Sequence, residues 1–518
     1  MKSNRTKGII DVTGAVLLAI TFFTLLFIHL NVNIFHYNVQ MDSDIASDTL
    51  LGPVIYENGY TVPSTWYASS EKCVISAPNL AAFIYPLVGR NMNLAMGISC
   101  NLFMILFFLT MFVYYRQMKF SWGMCCLSGA LILSLSDVFS ENQSLLFLWA
   151  AYYAGHFITL YVISFFYNYC LKKDRVPVAI WIVSIILAFL NSLQGTHASL
   201  FCYLPLLAVE MLRRIVMWAK RRNYREGLSV FVWLLLLSII AVAGSNIAGS
   251  AYKSGVSRNI RHAGEKFVDL IWPALGGVLY HDSIPFITYV LAAMAVIGYV
   301  LLIVRLFTGA EKAEESSDGV ERWSLLSHIV SLVICILSLT FTTFDVAPRY
   351  FIAELFIVGV GVMILSDVSD YRLRLGITVL TVIVGLTSAK YYYTNLIQND
   401  DTKSRDEYLV GQWMQENGYK YGYATFDFAN AITVISNDAV RVRAINTMNE
   451  LEGMKWLSDA TWYPPTKNAD GATCYITTDA SKGEFEEWMQ NNGVDALSMN
   501  AVGRFTVYVL DRDYTEWK

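Results

Sequence analysis

Charged residues are scarce in this sequence of 518 residues. Asp, Glu, Lys and Arg together make up 15% of the chain and hydrophobic residues 55%, whereas charged residues form about a quarter of an ordinary soluble domain. The net charge of −4 comes without any basic run or stripe, which argues against nucleic acid as a partner. The composition therefore excludes an ordinary soluble protein and predicts a membrane protein.

The signatures of several enzyme classes are also absent. The sequence has no Walker loop, no Gly-x-Ser-x-Gly turn and no His-Glu-x-x-His pair. Its eight cysteines include no Cys-x-x-Cys pair and no spacing typical of metal ligands. Cys73 and Cys474 are the two that could form a disulfide, if both face outward. These absences argue against a nucleotide-consuming pump and against the common soluble hydrolases.

Long apolar runs are what the sequence does have. A run of about 20 apolar residues is enough to cross a bilayer as a helix. We predict eleven membrane-spanning helices, at residues 9–31, 93–115, 121–137, 144–169, 177–193, 197–218, 228–248, 286–306, 323–343, 349–366 and 375–394. The predicted fold class is therefore a polytopic α-helical membrane protein.

The distribution of basic residues predicts the orientation. With the N-terminus inside, the cytoplasmic segments hold 19 Lys and Arg residues and the outer loops hold 7, leaving aside the 12 from Lys390 onward. Cytoplasmic loops are the ones that are enriched in Lys and Arg. We therefore predict a multi-pass protein of the plasma (inner) membrane, with a cytoplasmic N-terminus and an extracytoplasmic C-terminal domain.

Three of the predicted outer segments are too long to be turns: residues 32–92, 249–285 and 395–518. We predict that residues 1–394 form a membrane module and that residues 395–518 form a small α/β domain that binds or shapes the site. The pattern of this tail predicts helices and strands. The helices are Asp406–Asn417 and Lys482–Asn492, and the strands are Tyr421–Phe426, Ala431–Ser436, Val440–Ile445, Thr473–Thr477 and Phe505–Leu510.

Acidic residues are concentrated directly after the first predicted span. Asp42, Asp44 and Asp48 lie there, and Glu71 follows in the same loop. Asp44 and Asp48 are four residues apart, so a short helix would place them on one face and direct Asp42 elsewhere. Carboxylates at a membrane boundary can have pKa values raised by desolvation and mutual repulsion, which suits removal of a proton from a hydroxyl. The alternative is structural, because Asp42 and Ser43 are also good N-cap residues.

Basic residues of the outer loops form the second group. Arg349 and Tyr350 open the tenth predicted span, where an arginine can bind a phosphate through two hydrogen bonds. The alternative is that Arg349 anchors the helix at the interface with Asp345 as its partner. The loop of residues 249–285 adds positive charge, which an anionic ligand would explain; contact with anionic lipid head groups is the alternative. The residues concerned are Lys253, Arg258, Arg261, His262 and Lys266.

Together these features resemble the GT-C class of polytopic glycosyltransferases, whose bacterial members use polyprenyl-phosphate sugars. The resemblance extends over most of the chain. It rests on the topology and on Asp42-Ser-Asp44, Pro63-Ser-Thr-Trp-Tyr67, Arg349-Tyr350 and Gly422-Tyr-Ala-Thr-Phe-Asp-Phe-Ala-Asn-Ala431. The Asp-Glu pair of the protein O-mannosyltransferases and the Trp-Trp-Asp signature of the oligosaccharyltransferases are absent, so neither substrate carries over.

The resemblance implies an inverting transferase that moves a hexosyl or pentosyl group from a polyprenyl-phosphate carrier to a hydroxyl of a glycan, lipid or protein at the outer face. It implies that Asp44 is the general base. Asp42 or Asp48 would orient the acceptor, tune the base or hold a divalent cation if one is required. The donor phosphate would be held by Arg349, Arg258 and Arg261, and the predicted substrate-binding set is completed by Glu71, His262 and Tyr350.

Two other classes of function remain open. A lipid or glycan transporter or flippase would have polar residues at mid-membrane and repeated, broken spans. His156 and Asn191 are the few candidates for such residues, and both His156 and His197 are interpreted as structural polar residues. A non-catalytic envelope assembly protein would depend on the tail and not on Asp44.

Overall fold

The computed structural model describes residues 2–69, 72, 74–135, 144–148, 153–220, 226–248, 257–308, 320–464 and 471–517. Helices dominate this part of the chain. They are α1 (Lys2–Phe35), α2 (Ser43–Glu57), α3 (Ala77–Ile84), α4 (Met92–Gln117), α5 (Trp122–Ser134), α6 (Ala154–Lys173), α7 (Val178–Ser192), α8 (Leu204–Ala219), α9 (Leu228–Ala248), α10 (Ala263–Lys266), α11 (Trp272–Val278), α12 (Pro285–Thr308), α13 (Ser327–Thr340), α14 (Ala353–Val368), α15 (Tyr371–Tyr392), α16 (Asp406–Glu416), α17 (Phe426–Ile435) and α18 (Asp479–Asn492).

The strands are fewer and are found mainly in the tail. They are β1 (Trp66–Tyr67), β2 (Tyr421–Thr425), β3 (Arg441–Ile445), β4 (Ser458–Asp459), β5 (Thr473–Thr478), β6 (Ser498–Val502) and β7 (Phe505–Leu510).

Seven helical segments of the described residues are long and apolar enough to cross a membrane: Asp11–Phe35, Met92–Gln117, Leu228–Asn246, Pro285–Thr308, Arg322–Thr340, Pro348–Val368 and Tyr371–Gln398. Each coincides with a predicted span. Of the four other predicted spans, two fall on the shorter apolar helices α5 and α7, and two fall on α6 and α8. The chain is a multi-pass helical membrane protein as predicted, with fewer full-length spans in its described part than the eleven expected.

The chain divides into two compact units, and each is described by itself. The helical unit comprises Met1–Asn31, Leu102–Gly249 and Lys253–Asn395, and the sheet unit comprises Val32–Asn101, Ser250–Tyr252 and Leu396–Lys518. The segment that follows the first span therefore belongs to the same unit as the C-terminal tail, although residues 102–395 lie between them in the sequence.

Close backbone packing holds part of the helical unit together. A Cβ atom at Gly298 of α12 would overlap the carbonyl oxygen of Gly361 of α14, and a Cβ atom at Gly361 would lie 2.7 Å from the Cα atom of Ala295. Small residues allow helices to approach closely in a membrane, where no hydrophobic force drives helices together. The two helices therefore pack backbone against backbone. The span Pro348–Val368, which contains α14, is the most buried of the seven, with 78% of its apolar segment inside the structure.

A five-stranded mixed sheet forms the core of the sheet unit. Its strand order is β3-β2-β5-β7-β6; β2 runs parallel to β3 and β5, and β7 runs antiparallel to β5 and β6. One face packs aliphatic side chains against α16 and α17, and the other carries an aromatic cluster that includes Tyr423, Tyr475 and Phe485. Cys474 lies in the aliphatic core as a free thiol. Cys474 therefore does not form the disulfide that the sequence left open, and the other cysteine of that pair, Cys73, lies outside the described residues.

Among its α-helices and its strands longer than two residues, the tail follows the predicted pattern except in two places. Ala431–Ser436 was predicted to be a strand, but Ala431 to Ile435 form the second half of α17. The apolar run is explained by burial on two sides, because α17 packs between the sheet and α2 and every residue from Ala429 to Ile435 is buried. A short apolar run does not distinguish a strand from a buried helix. The second difference is that β6, at Ser498–Val502, was not predicted.

The segment after the first span is joined to the tail by a short sheet and an apolar core. β1 pairs antiparallel with β4, which places Trp66 opposite Asp459. The core beside this ladder draws on both parts of the unit, and its buried members are Leu51, Ile55, Trp66, Ala82 and Leu457. Two strands of two residues each contribute little stability alone, so the apolar core is what holds α2 against the tail.

Candidate functional site

The acidic cluster lies on α2, in the sheet unit. Asp42 is the N-cap of this helix, and its carboxylate accepts a hydrogen bond of 2.8 Å from the backbone N–H of Ile45. Asp44 lies in the first turn and is half-buried, whereas Asp48, one turn further, is only 1% exposed. The predicted short helix with Asp44 and Asp48 one turn apart is confirmed. Asp42 has the capping role that was the structural alternative, and Glu71 lies outside the described residues.

Tyr37 lies beside these carboxylates and was not found by sequence reasoning. Its hydroxyl forms a hydrogen bond of 2.9 Å with the hydroxyl of Thr49. Burial raises the pKa of Tyr37 well above its ordinary value, and the negative charges of Asp48 and Asp42 add to this effect. The phenol therefore stays neutral at physiological pH and remains able to donate or accept a hydrogen bond next to the acidic cluster.

Arg405 of the tail supports the backbone that leads into α2. Its two Nη atoms donate hydrogen bonds to the carbonyl oxygens of Asn38 and Met41, at 3.2 and 2.6 Å. Its Nε atom lies 3.4 Å from the carboxylate of Glu407, which is itself bound by Arg504. An arginine fork of this kind holds its partners in a defined geometry, so the tail fixes the start of the acidic helix.

A second polar contact lies between α2 and α17. The side-chain amide of Asn430 donates a hydrogen bond of 2.8 Å to the hydroxyl of Ser47, and Ser47 donates to the carbonyl oxygen of Ser43 at 2.6 Å. Ser47 and Asn430 are both fully buried. A buried hydrogen bond between helices specifies one alignment, because its loss leaves polar groups without partners. Ser47 lies between Asp44 and Asp48, so this contact orients the acidic part of α2.

A histidine–aspartate pair lies close to the point where the tail begins. The Nδ1 atom of His36 is 2.7 Å from a carboxylate oxygen of Asp400, and each side chain is 21% exposed. Partial burial opposes ionisation of Asp400, but hydrogen bonds from Thr402 and His36 outweigh it and hold the pKa of Asp400 below its ordinary value. The pair links the end of the first span to the tail within the sheet unit.

In the helical unit, Arg349 lies on a 3₁₀ turn, Pro348–Phe351, at the start of the most buried span. Its guanidinium carbon is 5.4 Å from the centre of the Tyr350 ring, and the ring of Phe344 packs against the same tyrosine at 5.6 Å. The face of an aromatic ring attracts a cation and so helps to hold the guanidinium in one position. Arg349 and Tyr350 therefore act as one group.

Two histidines that we interpreted as structural lie beside this turn. The ring of His197 stacks 6.4 Å from that of Tyr350 and is within electrostatic range of Arg349. His156 stacks on His197 at 5.8 Å, and the hydroxyl of Tyr153 is 3.3 Å from Nε2 of His197. Their polarity within apolar segments was a signal for a site. The sequence did not indicate that they converge on Arg349.

Backbone hydrogen bonds join the basic loop to the segment that precedes Arg349. The N–H of Asn259 donates to the carbonyl oxygen of Phe341, and the N–H of Thr343 donates to that of Ser257, both at 2.9 Å. Arg258 forms a bridge with Thr342 in the same ladder. Arg258 thus belongs to the support of the turn that carries Arg349.

The remaining basic residues of the loop differ in their surroundings. Lys266 is buried and donates hydrogen bonds to the carbonyl oxygens of Thr342 and Phe344. Burial lowers the pKa of Lys266, and the charge of Asp345 acts in the opposite direction. Arg261 and His262 are exposed, and Nδ1 of His262 is 3.0 Å from the carboxylate of Glu265. Lys266 is therefore a structural cation, whereas Arg261 and His262 lie at the surface.

Within the described ranges, no group of three or more His, Cys, Asp or Glu side chains is placed to hold a metal ion. The divalent cation at the aspartates therefore stays a prediction.

Comparison with known proteins identifies the fold. No family model matches the chain, and no curated protein sequence matches it. ArnT from Cupriavidus metallidurans in the apo state aligns with a TM-score of 0.52 and 11% identity, over 96% of this chain and 98% of that one. ArnT from the same organism bound to undecaprenyl phosphate aligns with a TM-score of 0.49 and 10% identity, over 95% and 97% of the two chains. ArnT is a GT-C glycosyltransferase, and the present chain has the GT-C fold.

Proposed function

We propose that this protein is a glycosyltransferase that moves a sugar from a polyprenyl-phosphate carrier to an acceptor hydroxyl. The observation that carries the proposal is the GT-C fold shared with ArnT over 96% of the chain. The acidic first turn of α2, directly after the first span, supports it further. We also propose that the protein lies in the plasma (inner) membrane, with its N-terminus in the cytoplasm and the tail outside, on the basis of the Lys and Arg distribution.

Asp44 is the general base of the proposed reaction. It removes the proton of the acceptor hydroxyl as the oxygen attacks the anomeric carbon of the donor sugar. The bond between that carbon and the phosphate oxygen breaks, polyprenyl phosphate leaves with the electron pair, and the anomeric configuration is inverted. The position of Asp44 supports this role, because it is half-buried and is not the residue that caps the helix.

Asp42 and Asp48 support the base. Asp42 caps α2 and keeps its first turn in place, while the buried Asp48 places a second acidic group one turn away from Asp44. Either residue can orient the acceptor or hold a divalent cation together with Asp44, because carboxylate oxygens are the ligands that hard cations prefer. Glu71 remains a proposed contact to the acceptor.

Arg349 binds the donor phosphate in this proposal. Its fork of donors matches a phosphate through paired hydrogen bonds, and the ring of Tyr350 holds the guanidinium in place. Arg258, Arg261 and His262 add positive charge from the loop. His197, which stacks on Tyr350, and Tyr153, whose hydroxyl lies beside His197, are further polar groups for the phosphate or the sugar.

The test compares membranes that carry the wild-type chain with membranes that carry Asp44→Asn. Both receive a panel of labelled polyprenyl-phosphate sugars with native acceptors, and the release of polyprenyl phosphate is followed together with transfer of the label. A positioned general base contributes about 10²–10⁴-fold to a rate. We expect transfer from one donor in the wild type and a loss of that order in Asp44→Asn.

Asp479→Asn provides a matched control. Asp479 is an exposed acid in the first turn of α18, so its replacement removes one charge from the first turn of another helix. We expect wild-type transfer from this variant. Transfer at the wild-type rate in Asp44→Asn would reject Asp44 as the base, and no transfer from any donor by the wild type would reject the enzyme.

A further inference from the structure

Arg443 is the most deeply buried arginine of the described sheet unit. It lies on the edge strand β3 and is only 8% exposed. Within the described residues its guanidinium donates no hydrogen bond and has no carboxylate partner, and its Nη1 atom is fully buried. Buried charges in proteins are normally paired, because removing an isolated charge from water is costly. Arg443 therefore has a charge for which this part of the chain supplies no counter-ion.

Three other arginines of the same unit follow the ordinary rule. Each pairs with a carboxylate while being more exposed than Arg443. The pairs are Arg405 with Glu407 at 3.4 Å, Arg441 with Asp438 at 2.7 Å and Arg504 with Asp406 at 3.5 Å. Arg441 precedes Arg443 by two residues, so it lies on the same face of β3. Asp438, whose charge acts on Arg443, already forms an ion pair with Arg441.

An aromatic ring fixes the orientation of the Arg443 side chain. The guanidinium carbon lies 3.9 Å from the centre of the Trp462 ring. A ring in this position covers one face of the planar cation and leaves the N–H donors in its plane for an acceptor. Burial lowers the pKa of Arg443 to about 10, so the side chain is still a cation at neutral pH. The unpaired group is therefore both charged and held in one orientation.

We propose that Arg443 and Trp462 form a binding site for an oxyanion, either a phosphate or a carboxylate group. Both groups match the guanidinium fork through two parallel hydrogen bonds. Binding would supply the counter-ion that the described chain lacks and would offset the penalty of burying the charge. The site lies on the edge strand of the tail and involves none of the residues assigned to the sugar transfer, so it does not depend on that assignment.

Hydrogen exchange of the full-length protein in detergent tests the site. Peptides that contain β3 are compared in chloride, inorganic phosphate and acetate at equal ionic strength. Amides of β3 that exchange only when the site opens should be protected by a bound ligand. A ligand at ten times its Kd slows this exchange by about 10-fold. Protection by phosphate supports a phosphate-bearing ligand, and protection by acetate supports a carboxylate. No protection by either anion overturns the proposal.

Variants separate this site from a general effect of anions. Arg443→Met removes the charge while filling a similar volume, and Arg441→Gln removes the neighbouring paired charge as a control. We expect the anion effect to disappear in Arg443→Met and to persist in Arg441→Gln. An equal effect in Arg443→Met overturns the proposal. If Arg443→Met does not fold, Arg443→Lys decides: a Kd raised several-fold by loss of the fork supports the site, and an unchanged Kd overturns it.

Discussion

Arg405 restrains the acidic helix through the backbone and not through its aspartates. It reaches the carbonyl oxygens of Asn38 and Met41 from a position 364 residues beyond Met41. Hydrogen bonds that involve a charged group contribute about 1.5–3 kcal/mol each. A single side chain of the tail therefore holds the residue that immediately precedes Asp42.

The pair between His36 and Asp400 predicts a pH-dependent contribution to stability. The folded-state pKa of Asp400 lies below the ordinary value of 3.8, so the pair stabilises the fold above that value and its contribution is lost as the pH falls through the folded-state pKa. At neutral pH we expect the free energy of unfolding of the wild type to exceed that of Asp400→Asn by about 1 kcal/mol or less, since the pair is partly exposed. Melting curves recorded between neutral and acidic pH should converge at the acid end.

Asp401→Asn controls for the change of net charge in this experiment. Asp401 is the exposed neighbour of Asp400, and its replacement removes the same charge without touching His36. A constant difference between Asp400→Asn and the wild type across the acidic range would contradict the contribution assigned to the pair.

Single residues of the site differ in how well they could be predicted. The spacing of Asp44 and Asp48 indicated a shared helix, because helical periodicity is a local property. The contacts made by Tyr37, Arg405 and Asn430 depend on which distant segments meet, and no local pattern encodes them. The sequence therefore predicted the charged groups of the candidate site and missed the groups that support them.

At the scale of helices, the crossing of α12 and α14 leaves no room for a side chain. We expect Gly298→Ala to force the two helices apart, because its Cβ atom would overlap the carbonyl oxygen of Gly361. Overpacking typically costs about 1–3 kcal/mol. The variant should melt several degrees below the wild type when both are purified in the same detergent.

Gly376→Ala is the matched control for this prediction. Gly376 also lies within a span, on α15, but a Cβ atom there would meet nothing within 4 Å. Alanine is favoured over glycine in a helix by about 1 kcal/mol, so this variant should melt at or above the wild-type temperature. Equal melting temperatures for Gly298→Ala and Gly376→Ala would show that the crossing has more space than the structure indicates.

The elements of the tail illustrate where local patterns are insufficient. The strands at Tyr421–Thr425 and Phe505–Leu510 and the helix at Asp406–Glu416 agree with the pattern of the sequence. Residues Ala431 to Ile435 look like a strand because they are apolar and partly β-branched, yet they form a helix that is buried on two sides. Tertiary packing overrides intrinsic preference in such segments.

For the molecule as a whole, the shared sheet unit makes the first outer segment dependent on the tail. A chain that ends at Asn395 would lack β4, α17 and Leu457, against which α2 and Trp66 pack. We expect residues 36–91 of this truncated chain to exchange amide hydrogens rapidly and to be cut by added protease. Sugar transfer should be lost together with this protection.

The helical unit supplies the internal control for the truncation. Peptides from α12 and α14 should keep the protection that they have in the full-length protein, because their close packing lies within residues that remain. Wild-type protection of residues 36–91 in the truncated chain would contradict the dependence on the tail.

The positions of the apolar spans were the most predictable property of the whole molecule. Long apolar runs identify spans with little reference to their surroundings, because the bilayer fixes the length that a helix needs. The short helices α5 and α7 fall where full spans were expected. The assembly of one unit from Val32–Asn101 and Leu396–Lys518 has no counterpart in hydropathy, since it depends on contacts distant in sequence.

That discontinuity imposes an order on biosynthesis. Ribosomes add about 5–20 residues per second, so synthesis of residues 102–395 delays the arrival of the tail by roughly 15–60 s. During that interval Leu51, Ile55 and Trp66 have no partner surface from the tail, and exposed apolar groups of this kind invite aggregation and proteolysis. The packing of the acidic helix is thus completed only after the tail has been synthesised. A ribosome that stalls before the tail leaves a chain that has the aspartates but lacks the residues that support them.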